Sequence, residues 1–291
     1  MDGSKGPSIL LCHLTCTQYN YLVPTPFYHL SMAEDLLRQP CLPEAVRQFL
    51  QGYRCIFLFG NTAPDVQVVS GQERQATHFF DLPIHSGAPF AWEHMLASHP
   101  ALAHPQALPA SQVAFLAGYL CHLQADWYWV SEIFAPIFGP RSTWGTFRQR
   151  LYLHNVLRAY LDLHILPELH PGMDVCLHYV TPAGWLPFVK DQFLLEWRNL
   201  LFPQLQPGAA AQTVEVFAAR QGVSVSEYYA LLGSEPRMQQ EVFDHLPLEQ
   251  IQSYRQQMLD ENIRLLSEYL AFTGQEVLSP HERRLFQEAH L

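Results

Sequence analysis

One long apolar stretch of the chain carries two ionisable residues in its middle. Val113–Ser131 reads VAFLAGYLCHLQADWYWVS, and apolar residues on all sides predict a buried helix. His122 and Asp126 are four residues apart, so they lie one above the other on one side of that helix. A buried carboxylate is costly unless it is paired or binds a metal ion. Two interpretations follow: a hydrogen-bonded pair in the core, or two ligands of a divalent metal.

Most of the remaining chain shows the spacing of apolar residues that is typical of helices. The segment CIFLFGNTAPD at 55–65 is ambiguous, because so short an apolar run fits a buried strand or a buried helix. Val66–Gln75 is predicted to be irregular and exposed. Strand patterns are scarce, so the sequence predicts an all-α fold. The predicted helices are Thr25 or Ser31 to Leu37, Glu44–Tyr53, Gly87–Ser98, Ala110 or Ser111 to Val130, Trp144–Leu166, Ala183–Phe202, Ala209–Gly222, Ser226–Leu232, Pro236–Phe243, Leu248–Thr273 and Ser279–His290.

Changes in composition predict three parts along the chain. Residues 1–23 form an N-terminal extension, which ends at the turn between Pro24 and Pro26. Residues 24–207 form a helical metal-binding domain. Residues 208–291 are more polar, with ordinary amphipathic periods, and are expected to pack on that domain as a C-terminal helical region.

The composition narrows the classes of partner. Hydrophobic residues make up 48% of the 291 residues and charged residues 15%, so the chain can bury a large core. With histidines neutral, the net charge of −10 repels phosphate backbones, and no nucleic-acid polymer is expected as a partner. A small phosphate ester could still be held by metal ions in a pocket.

The cysteines and the N-terminal residues indicate in which cellular compartment the chain is expected. The six cysteines form no CxxC pair, and most stand in apolar runs, which predicts reduced core thiols rather than a disulfide framework. No apolar run reaches the ~20 residues that cross a bilayer, so no transmembrane segment is predicted. Because no clear signal peptide is recognisable, the chain is predicted to be cytoplasmic. The oligomeric state stays open.

Three further residues could complete a metal site with His122 and Asp126. Asp65 stands in a turn after an apolar segment, and His78 stands among aromatic residues in THFF. His29 lies near the start of the first predicted helix. Imidazole nitrogen and carboxylate oxygen are ligands that zinc binds at about 2.0–2.2 Å. The sequence therefore predicts a zinc site built from distant parts of the chain.

The residues of this site carry a resemblance to a known family. GNTAPDV, THFFDLP and AFLAGYLCHLQADWYW, in that order, resemble the zinc-dependent phospholipase C family in its widespread uncharacterised prokaryotic branch. PTPFYHLSMAEDLL adds to the resemblance, which covers about Pro24–Leu166. It implies a multi-helix bundle of the phospholipase C and P1 nuclease type, here with extra C-terminal helices, and a cleft that holds up to three zinc ions.

The resemblance also implies roles for individual residues. The ligands of one zinc ion are matched by Asp65, His78, His122 and Asp126. Asp126 would also bridge to a second zinc ion, for which His29 matches a ligand. The carboxylate that matches Asp65 is in addition the candidate general base for the attacking water.

The chain departs from the family pattern at the second and third zinc sites. Secreted members bind the second zinc through an N-terminal tryptophan, whereas the first tryptophan here is Trp92. At the third zinc, Glu132 stands where the family has a histidine. The next helix offers His154, but Arg158 stands in place of the family's glutamate.

These departures leave two interpretations of the third site. Glu132 and His154 could hold a metal ion with Asp162 nearby, or Arg158 could fill the vacant site and pair with Glu132. An arginine there could also bind a phosphate oxygen of the substrate bidentately. One to two zinc ions are therefore predicted rather than three.

Two function classes follow. The first is a metal-dependent, phospholipase C-like hydrolase, in which metal-activated water attacks the phosphorus of a small phosphate ester or phospholipid. The second is a non-catalytic helical domain that is stapled by metal and binds a ligand or partner. The missing tryptophan and Arg158 favour the second class. Metal content, measured together with turnover of a chromogenic phosphodiester, separates the two.

Overall fold

The structure is a computed structural model that describes residues 23–209 and 211–271. All regular elements in these two ranges are helices, which confirms the predicted all-α class. The predicted N-terminal extension up to residue 22 and the predicted helix Ser279–His290 lie outside the described residues.

Fourteen α-helices make up most of the described residues. They are α1 (Pro26–Arg38), α2 (Glu44–Gly52), α3 (Arg54–Gly60), α4 (Gln67–Ser70), α5 (Gln75–His78), α6 (Ala91–Ser98), α7 (Ala110–Tyr128), α8 (Phe147–Ile165), α9 (Met173–His178), α10 (Asp191–Leu201), α11 (Thr213–Gln221), α12 (Val225–Leu232), α13 (Glu235–Met238) and α14 (Leu248–Tyr269). The 3-10 segments are Ala63–Val66, Pro100–Ala103, Pro105–Ala107, Leu166–Glu168 and Phe202–Gln204, and the π-helical segments are Trp129–Phe138 and Gln239–Phe243.

The N-terminal cap of α1 places His29 in the protein interior. Thr25 has extended backbone and its hydroxyl accepts a hydrogen bond from the Tyr28 amide at 3.4 Å, while Pro26 stands in the first turn. This cap begins the helix where the sequence predicts. His29 follows in the first turn and is 1% exposed. The cap thus places one candidate ligand in the core.

Two glycines allow α3 and α7 to touch backbone to backbone. A Cβ atom at Gly118 would lie 2.1 Å from the carbonyl oxygen of Phe57, and one at Gly60 would lie 2.1 Å from that of Phe115. No Cβ atom tolerates such a distance, so only glycine permits this spacing. The ambiguous apolar run is therefore a helix, and the chain leaves α3 directly beside α7.

The central helix runs past its predicted end. α7 does not stop near Val130, because π-helical turns continue it over Trp129–Phe138. Pro136 lies within these turns. In an α-helix a proline removes one amide donor and collides with the preceding turn; here the segment continues in the wider i to i+5 form.

The last long helix, α14, contacts both α1 and α7, which carry three of the five candidate ligands. The Tyr254 hydroxyl of α14 donates to the Ala125 carbonyl of α7 at 2.8 Å. Arg255 of α14 pairs with Asp35 of α1 at 2.7 Å. Through these contacts α14 packs on both α1 and α7. The predicted domain boundary at residue 207 stays a prediction.

One pair of cysteines contradicts the predicted reduced thiols. Cys55 in α3 and Cys176 in α9 form a disulfide although 121 positions separate them in sequence. Among the described residues, Cys41 and Cys121 are free. Disulfides are typical of oxidising compartments, so this bond disagrees with the reducing environment assumed for the cysteines. No helix in residues 23–209 and 211–271 is both long and apolar enough to cross a membrane. The cytoplasmic location stays a prediction.

Candidate metal centre

Five buried side chains converge on one point in the interior. They are His29 of α1, Asp65 of the 3-10 segment after α3, His78 at the end of α5, and His122 and Asp126 of α7. His29, His122 and Asp126 form one group with ligand atoms within 4.8 Å of one another, and Asp65, His78 and His122 form a second. These buried groups could hold a metal ion.

Hydrogen bonds on the outer ring nitrogens orient two of the histidines. His122 Nδ1 lies 2.8 Å from the carbonyl oxygen of Asn61, which can only accept, so Nδ1 carries the hydrogen. His78 Nδ1 lies 3.0 Å from Thr77 Oγ1, whose own hydrogen goes to Gln67 Oε1 at 2.8 Å. When either ring is neutral, its Nε2 atom therefore keeps the lone pair. This is the arrangement of metal-binding histidines, whose second nitrogen donates to an oxygen.

The inner ring nitrogens lie close to the carboxylates without meeting hydrogen-bond geometry. His29 Nε2 is 3.2 Å from Asp126 Oδ1, while the Nε2 atoms of His78 and His122 are 3.3 and 3.5 Å from Asp126 Oδ2. His78 Nε2 is also 3.5 Å from Asp65 Oδ1. Among the described residues, the three Nε2 atoms and Asp126 Oδ1 have no hydrogen-bond partner, although all are buried. Buried polar atoms without partners are costly, and a cation bound in either group of candidate ligands would satisfy the atoms of that group.

The charges in this cluster favour metal binding. Burial alone would raise the pKa of Asp126, but the three histidines hold it well below its usual range. Burial alone would lower the pKa of His122, but Asp126 and Asp65 raise it. Burial, together with the neighbouring His122, lowers the pKa of His29 to about 4, so that ring is neutral at pH 7. Neutral imidazole and ionised carboxylate are the forms that bind metal, so Asp126 and His29 are in the binding form, whereas a metal ion at His122 competes with the proton that the two carboxylates favour there.

Arg74 belongs to the same cluster, and the sequence predictions missed it. Its Nη2 donates to Asp126 Oδ2 at 2.8 Å, and its guanidinium packs 4.5 Å from the centre of the Phe80 ring. The side chain is 4% exposed. Its Nε and Nη1 have no hydrogen-bond partner within the part of the chain that the structure describes. A cation from the protein therefore already contacts the central carboxylate.

The position of Arg74 contradicts the predicted irregular, exposed segment Val66–Gln75. Short helices occupy both ends of this segment, as α4 and α5, and Arg74 begins the second of them. Arg74 comes four residues before His78, a spacing that puts two side chains on one side of a helix. That spacing is the signal in the sequence that could have identified it.

The structure does not bring His154 to the cluster. Its Nε2 accepts a hydrogen bond from the Trp129 indole at 3.0 Å, and the rings of Phe134 and Phe138 pack around it. In residues 23–209 and 211–271, neither group of possible metal ligands includes it. The lone pair of Nε2 is thus used by the indole, and the buried Nδ1 has no hydrogen-bond partner among the described residues. Local sequence spacing does not reveal the contact with Trp129.

Arg158 lines a cleft of about 170 Å³ that also reaches Asp65. Burial lowers the pKa of Arg158 to about 10, with Asp162 the acid that opposes this most, so the guanidinium is charged at neutral pH. Glu132, the acid expected to pair with Arg158, accepts a hydrogen bond from Gln257 at 3.0 Å. The predicted substrate-binding residue therefore faces a cleft beside the cluster.

No protein-family model, curated protein or solved structure matches the chain.

Proposed function

We propose that this chain is a metal-dependent hydrolase of phosphate esters, similar to the zinc-dependent phospholipases C. The observation that carries the proposal is the set of buried Nε2 lone pairs and carboxylates around one point. Asp65 belongs to this set and also lines the neighbouring cleft. A substrate in that cleft would lie against one of the metal ligands.

The spacing of the ligand atoms supports zinc as the ion. A tetrahedral ion with ligand bonds of about 2.0–2.2 Å holds its ligand atoms about 3.3–3.6 Å apart. Four nitrogen–oxygen separations in the cluster are 3.2–3.5 Å, and the ligand atoms within each of the two groups lie no more than 4.8 Å apart. The set for one ion would be Asp65, His78, His122 and Asp126. His29 adds a nitrogen at the other oxygen of Asp126, where a second ion would bind.

A bound zinc ion, Asp65 and Arg158 would have separate roles in the reaction. A bound zinc ion lowers the pKa of water and polarises a phosphoryl oxygen. His78 and His122 lower the pKa of Asp65 against the effect of burial, so its carboxylate is ionised at neutral pH and can accept a proton from the attacking water. The charge of Arg158 would orient the phosphate. Its Nη1 also donates to Asn155 Oδ1 at 3.0 Å, and its guanidinium lies 4.5 Å from the centre of the Phe217 ring.

Metal content and turnover, measured in the same preparations, test the proposal. We expect at least one zinc ion per chain and hydrolysis of a chromogenic phosphate ester, with 4-nitrophenyl phosphate and bis(4-nitrophenyl) phosphate as the two test substrates. Asp65→Asn should reduce turnover by about 10²–10⁴-fold, the usual contribution of a general base. The exposed Asp260→Asn makes the same change far from the cluster and serves as the control. Bound zinc without turnover of several phosphate esters, or wild-type turnover in Asp65→Asn, would contradict the proposal.

The second candidate is a non-catalytic, metal-stapled domain, and Arg74 favours it. The guanidinium of Arg74 contacts the oxygen of Asp126 that also faces His78 and His122. A carboxylate that is partly neutralised in this way is a weaker bridge between two metal ions. Under this alternative, zinc raises the unfolding temperature while no phosphate ester is hydrolysed.

A further inference from the structure

The C-terminal region supplies one wall of the cleft beside the metal cluster. Asp65 and the α8 residue Arg158 line the inner side, and Trp197 of α10 lines another. Phe217 and Arg220 of α11 complete the lining from beyond residue 208. No motif in the sequence connects α11 to the metal ligands.

Two arginines bring positive charge into this cleft. Arg158 is buried, whereas Arg220 is exposed at the rim. The two positive charges repel each other, and Arg220 is among the groups that lower the pKa of Arg158. Asp162, Asp65 and Asp126 already offset part of the charge of Arg158. An anion bound between the two arginines would offset the repulsion between them, and guanidinium forks match phosphate oxygens bidentately.

The rest of the lining limits the size and nature of the ligand. Apolar side chains such as Trp197, Leu201 and Phe217 form most of the wall, which suits an apolar substituent. The volume of about 170 Å³ is smaller than the ~300–1,000 Å³ of sites that enclose drug-sized ligands. A diacyl phospholipid does not fit within it, whereas a phosphate with one small apolar group does.

We infer that Arg158 and Arg220 together bind the phosphate of a small phosphomonoester dianion, whose apolar group packs against Trp197 and Phe217. Two guanidinium charges match the charge of about −1.5 to −2 that a monoester carries at pH 7. The inference rests on the proposed function, since it names the substrate class of the same site. It also assigns a role to α11, which forms the outer half of the anion site.

Calorimetric titration of the full chain with phenylphosphonate at pH 8 tests this assignment. The probe is a dianion with one aromatic ring, and its carbon–phosphorus bond is not hydrolysed. Arg220→Gln should weaken binding by about tenfold to a hundredfold, the usual value of hydrogen bonds to a charged group. Arg264→Gln removes the same charge from an exposed position on α14 outside the cleft and should bind as the wild type does. Arg220→Lys keeps the positive charge but loses the guanidinium fork. Its affinity for phenylphosphonate should lie between those of Arg220→Gln and Arg264→Gln.

A second probe separates charge from shape. The monomethyl ester of phenylphosphonate keeps the ring and loses one negative charge, so it should bind the wild type more weakly than the dianion. Equal affinity for the two probes would overturn the inference, and so would wild-type affinity in Arg220→Gln. Titration after treatment with EDTA should show weaker binding that still depends on Arg220.

The inference and the proposed function fail in different ways. If Arg220 is needed for binding but no phosphate ester is hydrolysed, the anion site stands and the hydrolase proposal falls. If esters are hydrolysed and Arg220→Gln leaves KM and probe affinity unchanged, the hydrolase proposal stands and the anion site falls.

Discussion

Arg74 and Asp126 form a buried ion pair, with Nη2 2.8 Å from Oδ2, at the point where the candidate metal ligands meet. Arg74 brings a fixed positive charge to the cluster, because a guanidinium stays protonated at neutral pH, whereas the low pKa of His29 leaves that ring neutral. Asp126 is therefore satisfied on one oxygen before any metal binds, while its other oxygen has no hydrogen-bond partner in the described ranges. The pair predicts that stability and metal binding are coupled at Asp126.

Replacing Arg74 by methionine should make the fold depend on metal. Loss of one partner of a buried ion pair costs about 3–5 kcal/mol, so metal-free Arg74→Met should unfold at a lower denaturant concentration. Zinc should restore more stability to this variant than to the wild type, because the ion then provides the missing positive charge. Urea unfolding of both proteins with EDTA and with zinc measures the two differences. Equal gains from zinc in the two proteins would show that Arg74 and the metal act independently.

The sequence could predict those site residues whose polarity conflicts with their surroundings. His122 and Asp126 stand out because an apolar helix surrounds them, and their spacing alone puts them on one face. Asp65, His78 and His29 could be named as candidate ligands from residue type and local setting, but only the resemblance assigned them to particular zinc ions, since positions along a chain carry no distances. The structure brings all five into two groups of three that share His122.

The errors in prediction have a shared physical cause. The indole that occupies His154 comes from Trp129, 25 residues earlier. The partner of Cys55 lies 121 positions away, and packing of α3 and α9 brings the two Cα atoms to 5.1 Å. Both contacts depend on how helices pack, whereas periodicity reports only which face of one helix is buried.

Substitution of Gly118 by alanine should destabilise the chain and disturb the metal site. The new methyl group would lie 2.1 Å from the backbone oxygen of Phe57, so α3 and α7 must move apart. Overpacking costs about 1–3 kcal/mol, and more where backbone must shift. Gly233→Ala serves as the control, because its new methyl group meets its nearest atom at 3.1 Å. Unfolding midpoints and zinc affinity should both fall in the first variant; a midpoint like that of the control would contradict the close contact.

Cys55 and Cys176 should be recovered as one cross-linked peptide when the protein is digested without reductant. In the chain-entropy description, a cross-link that closes a loop of roughly 100 residues stabilises the fold by about 4–5 kcal/mol, and measured values are commonly ~2–5. The double variant Cys55→Ser with Cys176→Ser should therefore lose stability, whereas Cys41→Ser, at a free exposed cysteine, should not. Maleimide labelling of both thiols in denaturant without reductant would show that the bond is absent.

Asp162 should make stability depend on pH between about 4 and 8. It is buried, Thr25 and Thr213 donate hydrogen bonds to it, and burial raises its pKa to about 7 against the effect of those bonds and of Arg158. In the unfolded chain its pKa is about 3.9, so the folded state holds the proton more tightly. The stability from this group is present below about pH 4 and is lost as the pH rises through 7, by roughly 4 kcal/mol in all.

The variant Asp162→Asn removes this titration and tests its sign. The amide cannot ionise, so the stability of the variant relative to the wild type should increase from pH 5 to pH 8. Urea unfolding of both proteins at each pH, with EDTA present, gives this difference while the titrations that the two proteins share cancel. A difference that stays constant, or that shifts in favour of the wild type as the pH rises, would mean that Asp162 is already ionised in the folded chain at pH 5, held so by Arg158.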